Sequence, residues 1–291
     1  MRRFLLCSAF MLSATTLNAQ ALFYASAYSD WKTGPDGVAR MNLVGTDSTS
    51  PAGLSTFRLR FPASHDSTKV AVHYHFGTEH ILVLKGTLMV GFGETVDYAA
   101  AKEYTTGGYV VIPSGRPHYE WTRGETEIQV EAIGSTTTQS WPRRAPGGVP
   151  RPGAGPSVDS SHVRPNGLPQ WSFNQGGGAR MPLVGSTPAS TTELQAFRMF
   201  VPNRPLIDST RITYHYHFGT EHITVLKGIL YFAIGEKVDR SKAKAYGPGS
   251  FIENPSGSKH FEWFSGEFEG HIEALGSLGA INLNQATGQP R

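Results

Sequence analysis

An eight-residue segment occurs twice in this 291-residue chain, and it limits the fold more strongly than any other feature. The segment His-Tyr-His-Phe-Gly-Thr-Glu-His stands at 73–80 and again, unchanged, at 215–222. Gly86 and Gly228 follow the two segments at the same distance. Two identical polar clusters, each followed by a glycine at the same distance, indicate an internal duplication. The chain is therefore predicted to contain two copies of one structural unit.

A second pattern of Gly, Pro, Gly and His follows each segment at the same spacing. Its members are Gly107, Pro113, Gly115 and His118 in the first half, and Gly249, Pro255, Gly257 and His260 in the second. The halves also match upstream, where Phe57-Arg58 corresponds to Phe197-Arg198. The repeat thus covers most of the chain and sets the predicted number of domains at two.

The repeat and the local composition together predict the domain boundaries. After a leader at 1–21 we predict an N-terminal domain over 22–140, a linker over 141–168 and a C-terminal domain over 169–291. The linker is rich in proline and glycine, which is typical of a semi-extended spacer. Each domain is long enough to bury a core of its own.

The leader has the pattern of a secretory signal. Two arginines precede an apolar run from Phe4 to Leu17, and Ala19 and Ala21 form an Ala-x-Ala cleavage site. The run is shorter than the roughly 20 residues that span a bilayer. We expect cleavage after Ala21 and a mature protein that is periplasmic or secreted, without a membrane span. An uncleaved anchor and a buried strand are the alternatives.

Charge and cysteine content narrow the classes of partner. Two of the 26 basic side chains lie in the leader, which leaves 24 against 23 acidic ones. Without a basic run, neither nucleic acid nor an anionic membrane surface is expected as a partner. The only cysteine, Cys7, also lies in the leader, so the mature domains contain no disulfide. We expect a small-molecule substrate, and association into a homo-oligomer is left open.

Short segments rich in Val, Ile, Phe and Tyr alternate with Gly and Pro in each half. In the first half the predicted strands are 54–61, 70–75, 80–84, 87–92, 109–112, 118–122 and 126–133. Many short strands with such punctuation are typical of an antiparallel barrel or jelly roll. The predicted fold class is therefore all-β, with two tandem barrels.

The repeated histidines form a predicted set of metal ligands. Side chains alternate along a strand, so His73 and His75 share one face and both point into the barrel. The next strand begins with Glu79 beside them, and the downstream hairpin returns His118. The corresponding residues of the second half are His215, His217, Glu221 and His260.

This donor set predicts the kind of metal and its chemistry. Nitrogen and oxygen donors without thiolates suit a divalent transition metal, one per domain, rather than a closed structural zinc site. We expect Mn or Fe, with Ni, Cu and Zn as alternatives. On an octahedral ion, four protein ligands leave two positions open, as catalysis requires.

Strand alternation separates other repeated residues from the ligands. His80 and His222 directly follow the ligand glutamates, so we predict that they face the opposite side, in exterior packing or at an interface. Glu120 and Glu262 stand two residues after the motif histidines. They are the candidate catalytic carboxylates, either as proton carriers or as hydrogen-bond partners of the ligands. A surface position near the strand end is the alternative for both.

The two halves differ in the residues around these matched positions. Val111-Ile112 of the first half corresponds to Glu253-Asn254 of the second. A carboxylate in an otherwise apolar strand is either exposed or functional, and Glu253 is left open between these two interpretations. Equal ligands in unequal surroundings predict two unequal sites.

The two motifs resemble those of the cupins, and their duplication resembles a bicupin, similar to exported bacterial cupins of undefined activity. The resemblance extends from about Trp31 to Leu278. The glycine that usually precedes the first histidine is Ser67 and Ser209 here, a turn position rather than a ligand. The resemblance implies a six-stranded double-stranded β-helix, or jelly-roll barrel, in each half. It also implies that the eight residues proposed above hold the metals.

Membership of this superfamily leaves the reaction open, because cupins include dioxygenases, oxalate decarboxylases and oxidases, isomerases, lyases, sugar-binding proteins and storage proteins. We expect a metal-dependent oxidoreductase of dioxygenase type that acts on a small oxygen-bearing substrate. One alternative is an oxalate-decarboxylase-like lyase, which would need a lid that carries a glutamate. No such lid is recognisable in the sequence. A non-catalytic metal-binding, ligand-binding or storage protein is the other alternative.

Overall fold

The computed structural model describes residues 30–45, 53–64, 70–141, 171–173, 178–184, 194–203 and 212–291, and the backbone of 22–24. The predicted leader and almost all of the predicted linker lie outside these residues. Strands are the only regular secondary structure in the described part of the chain apart from one 3-10 helix at Arg240–Lys242, which confirms the predicted all-β class. None of its helices is long and apolar enough to cross a bilayer.

The strands of the N-terminal half agree closely with the predicted segments. They are β1 Leu22–Tyr24, β2 Lys32–Thr33, β3 Ala39–Val44, β4 Leu54–Phe61, β5 His73–Tyr74, β6 Thr78–Lys85, β7 Thr87–Phe92, β8 Lys102–Thr105, β9 Tyr109–Ile112, β10 His118–Thr122, β11 Thr126–Ile133 and β12 Gln139–Ser140. The bounds of β4, β7, β9, β10 and β11 are those predicted. β5 is shorter than its predicted segment, and β6 begins two residues earlier than predicted.

The C-terminal half repeats this order with fewer interruptions. Its strands are β13 Ser172–Phe173, β14 Ala179–Val184, β15 Leu194–Val201, β16 Thr213–Tyr216, β17 Thr220–Ile234, β18 Lys244–Tyr246, β19 Phe251–Asn254, β20 His260–Leu275 and β21 Ile281–Asn282. β17 corresponds to β6 and β7 together, and β20 corresponds to β10 and β11 together.

Two sheets form the barrel of the N-terminal half. One has the order β2-β3-β4-β11-β6-β9 and the other β12-β5-β10-β7-β8. Apolar side chains of both sheets meet in one core cluster, which includes Phe57, Ile81, Leu88 and Val130. In the C-terminal half, β17 and β20 run through both faces, so the strands join into a single sheet around the equivalent cluster.

The motif glycines allow β6 to pass into β7, and allow the matching bend within β17. Gly86 has a φ of +79° and Gly228 a φ of +77°, a conformation that residues with a side chain rarely adopt. A β-carbon at either position would lie 2.2 Å from a carbonyl oxygen, that of Glu125 or of Glu267. Both the backbone conformation and the close approach therefore require glycine.

The two halves pack against each other through equivalent surfaces. Met41 and Leu43 of the N-terminal half pack with Phe251. In the reciprocal contact, Leu183 of the C-terminal half packs with Tyr109. β1 also crosses over, since it pairs antiparallel with β19. The interface thus shares β-structure as well as apolar side chains.

Polar contacts across the interface follow the same reciprocal pattern. Arg58 donates from Nη1 to the carbonyl oxygen of Gly249 at 2.8 Å. Arg198, its counterpart, donates from Nη2 to the carbonyl oxygen of Gly107. Because each arginine reaches the glycine that begins the other half's second motif, the interface relates the two repeats by an approximate twofold operation.

His80 and His222 lie buried in this interface, which confirms that they face away from the ligands. Nδ1 of His222 lies 2.9 Å from Oε2 of Glu131. Nδ1 of His80 lies 2.5 Å from the hydroxyl oxygen of Tyr109 and 3.6 Å from Oε1 of Glu273. Each histidine therefore contacts a glutamate of the other half, and the predicted interface lies within one chain.

The two interface glutamates have opposite electrostatic environments. Burial raises the pKa of Glu131 well above its ordinary value, and the charge of Glu273 adds to this shift. Burial acts in the same direction on Glu273, but hydrogen bonds from His271 and His80 outweigh it and lower the pKa of Glu273. Glu253, which the sequence left open, pairs in register with His222 and thus lies beside this cluster.

Candidate metal centres

Strands β5 and β10 bring the three predicted histidines of the N-terminal half together. His73 and His118 are antiparallel partners, with ring centroids 4.3 Å apart. Ligand nitrogens of His73, His75 and His118 all lie within 4.8 Å of one another. Glu79, near the start of β6, places its Oε2 atom 3.5 Å from Nε2 of His75. The four predicted ligands therefore face one region.

The C-terminal half repeats the arrangement on β16, β17 and β20. His215 and His260 are antiparallel partners, and their Nε2 atoms are 3.1 Å apart. Nε2 of His217 lies 3.0 Å from Nε2 of His215. The Oε2 atom of Glu221 lies 3.9 Å from Nε2 of His217. Both halves thus contain a histidine group that could hold a metal ion.

Backbone carbonyls orient the second-motif histidine of each group, and also His73, whose Nδ1 lies 3.0 Å from the carbonyl oxygen of Ala71. Nδ1 of His118 lies 2.9 Å from the carbonyl oxygen of Arg116, and Nδ1 of His260 lies 2.9 Å from that of Ser258. An Nδ1–H that donates to a carbonyl leaves the lone pair on Nε2, the form that binds a metal. Nε2 of His118 is buried and has no hydrogen-bond partner among the described residues. An ion at this point would satisfy it.

Burial keeps three of the candidate ligand histidines neutral near pH 7. Burial, together with the charge of neighbouring histidines, lowers the pKa of His75 to about 4, of His118 to about 3 and of His215 to about 2. Neutral imidazole is the form that binds metals. Three such nitrogens with one carboxylate fit a divalent first-row transition ion, and the fit is similar in both halves.

The candidate catalytic carboxylates lie inside the barrels. Glu262 lines the same cavity as the C-terminal histidines, and burial raises its pKa to about 8, with the charge of Glu221 adding to the shift. Burial also raises the pKa of Glu120, against the opposing charge of His73. Oε2 of Glu120 is buried and has no hydrogen-bond partner in the described part of the chain. Both residues are half-buried, so neither is a fully exposed surface carboxylate.

A cavity of about 360 Å³ adjoins the C-terminal histidine group. Its polar lining includes His215, His217, Glu221, Glu262 and Arg180. Most of the remaining wall is apolar and comes from Phe197, Met199, Phe200, Val201, Ile223, Leu230, Ile272 and Leu278. This volume and a mainly apolar wall with a few polar groups are typical of a small-molecule site.

Two arginines beside the ligand glutamates were not among the predicted site residues. The guanidinium carbon of Arg180 lies 3.4 Å from the ring centroid of Phe197, and that of Arg40 lies 3.5 Å from that of Phe57. Burial lowers the pKa of both arginines, and the ligand glutamate of the same half opposes this shift. The signal was present in the sequence, because Ala-Arg-Met occurs at 39–41 and again at 179–181.

Asn254 makes the two histidine groups unequal. It lies opposite Glu221 on neighbouring strands, and its Nδ2 atom donates to Oε2 of Glu221 at 3.2 Å. In the N-terminal half Ile112 lies opposite Glu79 in the same register and offers no side-chain donor. The two sites are therefore unequal, as the sequence predicted. Glu221 accepts a hydrogen bond from an amide side chain, and Glu79 lacks this contact.

Three solved structures share the fold of this chain and have little sequence identity to it. A provisionally named dioxygenase from Nostoc punctiforme is 15% identical, with a TM-score of 0.61, over 92% of this chain and 88% of that one. A cupin 2 conserved barrel domain protein from Leptotrichia buccalis is 11% identical, with a TM-score of 0.51, over 83% of this chain and 89% of that one. The chain folds as a bicupin.

A third similar structure is the oxalate decarboxylase of Bacillus subtilis, a protein with Mn(II) centres. It is 14% identical to this bicupin, with a TM-score of 0.52, over 91% of this chain and 80% of that one. No protein-family model matches the sequence, and no curated protein matches it. At such low identity the likeness establishes the fold, and the reaction has to be inferred from the site.

Proposed function

We propose that this bicupin is an exported, metal-dependent oxidoreductase of dioxygenase type that acts on a small oxygen-bearing substrate. One observation carries the proposal: three residues of the C-terminal candidate metal centre, His215, His217 and Glu221, line a cavity of about 360 Å³. A bound ion would supply Lewis acidity and electron transfer toward dioxygen at the positions that the protein leaves open. A closed structural site would not adjoin such a cavity.

The residues of the C-terminal half would divide the remaining tasks. His215, His217, Glu221 and His260 would hold the ion. Glu262 lies in the same cavity and is the candidate proton carrier, because a general acid or base must lie within reach of the substrate. The apolar walls would exclude water around the reacting groups. Glu120 would have the corresponding role in the N-terminal half.

The proposed ions and the proposed location have separate support. Mn or Fe suits the nitrogen and oxygen donors, and the Mn(II) centres of the similar oxalate decarboxylase support Mn in such a barrel. Export to the periplasm or the medium is supported by the leader sequence. N-terminal sequencing of protein from periplasmic and culture fractions should find Leu22 as the first residue. A cytosolic chain that retains its leader would contradict export.

Oxygen uptake tests the proposed reaction. Protein loaded with Fe(II) or Mn(II) would be supplied with small carboxylates, diketones and phenols in an oxygen electrode. Uptake should be lost in the double variant His75→Ala/His217→Ala, and the single variants would assign it to one half. His162→Ala, in the predicted linker, is the matched control and should retain full uptake. Uptake that persists in the double variant contradicts the proposal, as does the absence of uptake with every substrate.

An oxalate-decarboxylase-like lyase is the second candidate function. It is favoured by the matched oxalate decarboxylase and by the buried glutamate near each histidine group. The two reactions give different products, because decarboxylation of oxalate yields formate and carbon dioxide without net consumption of oxygen. Formate production without uptake would replace the first candidate with the second. Bound metal without any turnover would favour a binding or storage protein.

A further inference from the structure

We propose that the C-terminal cavity binds an organic carboxylate with an aromatic or branched aliphatic body, and that Arg180 holds its anionic group. This substrate class rests on the proposed function, since it concerns the substrate of the same site. It narrows the proposed small oxygen-bearing substrate to an anion whose apolar body fills the cavity. It also makes Arg180 a specificity-determining residue.

The size of the cavity excludes the smallest dianions as well-fitted ligands. Its volume is about 360 Å³. A water molecule occupies about 30 Å³ of liquid, so the space suits a ligand on the order of a dozen non-hydrogen atoms. A two-carbon dianion such as oxalate would leave much of it to water. A phenyl-substituted or branched acid would fill it.

The chemistry of the wall favours a ligand with an apolar body. Met199, Phe200, Ile272 and Leu278 are among the apolar residues around the cavity, and apolar side chains outnumber the polar ones in its lining. Removal of apolar ligand surface from water onto such a wall is the main favourable contribution to binding. A small dianion gains nothing from these contacts.

Arg180 is available to bind an anion. The face of its guanidinium is stacked on Phe197, which leaves the N–H groups at the edge of the plane to donate. Among the described residues none accepts a hydrogen bond from it. In the N-terminal half, by contrast, Nε of Arg40 donates to Oδ1 of Asn42 at 2.9 Å. Pro182 occupies the corresponding position beside Arg180 and has no side-chain acceptor.

The charge of the loaded site also favours an anion. A divalent ion together with Arg180 would place three positive charges at one end of the cavity. The ligand carboxylate of Glu221 offsets one of them. A carboxylate bound to the guanidinium by two parallel hydrogen bonds would reduce the remaining excess.

The N-terminal half lacks part of this wall. Arg60 stands at the position of Phe200 and stacks on Trp31, with its guanidinium carbon 4.1 Å from the ring centroid. Thr136 stands at the position of Leu278. Both changes replace an apolar surface by a polar one. One carboxylate per chain is therefore expected, in the C-terminal half.

Isothermal titration calorimetry of the Mn(II)-loaded full chain tests the proposal, with phenylacetate, its neutral analogue phenylacetamide, and oxalate as probes. Phenylacetate should bind at one site per chain, and at least about tenfold more tightly than phenylacetamide, because a hydrogen bond to a charged group is lost with the amide. Arg180→Gln should weaken phenylacetate binding about tenfold or more. Arg40→Gln, the matched control from the other half, should leave it unchanged.

A second variant keeps the test decisive if Arg180→Gln fails to fold, which circular dichroism would reveal. Phe200→Ala shortens an apolar residue of the wall without adding a charge, and it should weaken phenylacetate binding at least about tenfold by loss of apolar contact. Equal affinity for phenylacetate and phenylacetamide would overturn the proposal. So would oxalate binding as tight as that of phenylacetate, or a loss that follows Arg40→Gln.

The outcomes separate this proposal from the proposed function. Binding of phenylacetate that depends on Arg180, without oxygen uptake on any substrate, would overturn only the proposed oxidoreductase activity. Oxygen uptake that is lost in the His75→Ala/His217→Ala variant, without any phenylacetate binding, would overturn only the substrate class.

Discussion

Replacement of Asn254 by isoleucine, the residue of the N-terminal half at this position, tests how one amide makes the candidate metal centres unequal. Asn254 is 1% exposed, and its amide donates to Oε2 of Glu221 at 3.2 Å. The substitution removes the only described hydrogen bond to that carboxylate. It also removes Oδ1 of Asn254, a buried acceptor that has no partner among the described residues.

We expect the substitution to change the affinity for the metal rather than the stability of the fold. A hydrogen bond to a charged group contributes about 1.5–3 kcal/mol, which corresponds to roughly 10- to 150-fold in a binding constant. Loss of a hydrogen bond to a ligand typically weakens metal binding by about 10- to 100-fold. Removal of an unsatisfied acceptor offsets the lost bond in the metal-free fold, so we expect its free energy of unfolding to change by less than about 1 kcal/mol.

The assay is competition for Mn(II) between the protein and a chelator, in backgrounds that retain one site. In the His75→Ala background only the C-terminal site remains, and Asn254→Ile should weaken Mn(II) binding there by about 10- to 100-fold. In the His217→Ala background the same substitution should have no effect on the N-terminal site. An unchanged affinity in the first background would refute the view that the amide orients Glu221.

Two further predictions concern the stability of the fold. Glu131→Ala should lower the free energy of unfolding in urea by about 1–3 kcal/mol, since buried His222 loses the carboxylate that it contacts. Glu127→Ala removes a partly exposed ion pair and should lower it by less than about 1 kcal/mol. Equal effects of the two variants would show that the interface contact contributes little. Gly228→Ala should cost clearly more than Gly266→Ala, because both have positive φ but a β-carbon would meet a carbonyl oxygen 2.2 Å away only at Gly228. Thermal melts of both variants measure this difference, and similar midpoints would contradict the steric explanation.

The sequence predicted that the motif histidines come together in two groups, because local periodicity determines their placement. Alternation along β5 places His73 and His75 together, and the motif spacing returns His118 on β10, which pairs with β5. The bounds of β4, β7, β9, β10 and β11 were predictable for a related reason, since glycine and proline mark their ends. Elements that depend on short-range rules are thus visible in a single sequence.

The contacts between the halves could not be predicted in the same way. Glu131 and Glu273 occur at equivalent positions of the repeat, but no local pattern shows which exterior strand packs on which. Their roles depend on contacts between residues far apart in the chain, such as the one between His222 and Glu131. Arg180 was missed because its place beside the ligands comes from strand β14, well upstream of the motif. The crossover of β1 onto β19 likewise depends on tertiary structure alone.

The reciprocal contacts between the halves have an evolutionary consequence. Arg58 reaches Gly249, and Arg198 reaches Gly107, as the same residue would in each subunit of a symmetric dimer. In a dimer encoded by one gene, every substitution appears in both subunits, so both sites change together. Once the two copies are joined in one chain, Asn254 can arise opposite one glutamate while Ile112 stays opposite the other. Covalent fusion thereby frees one barrel to specialise while the other preserves the assembly.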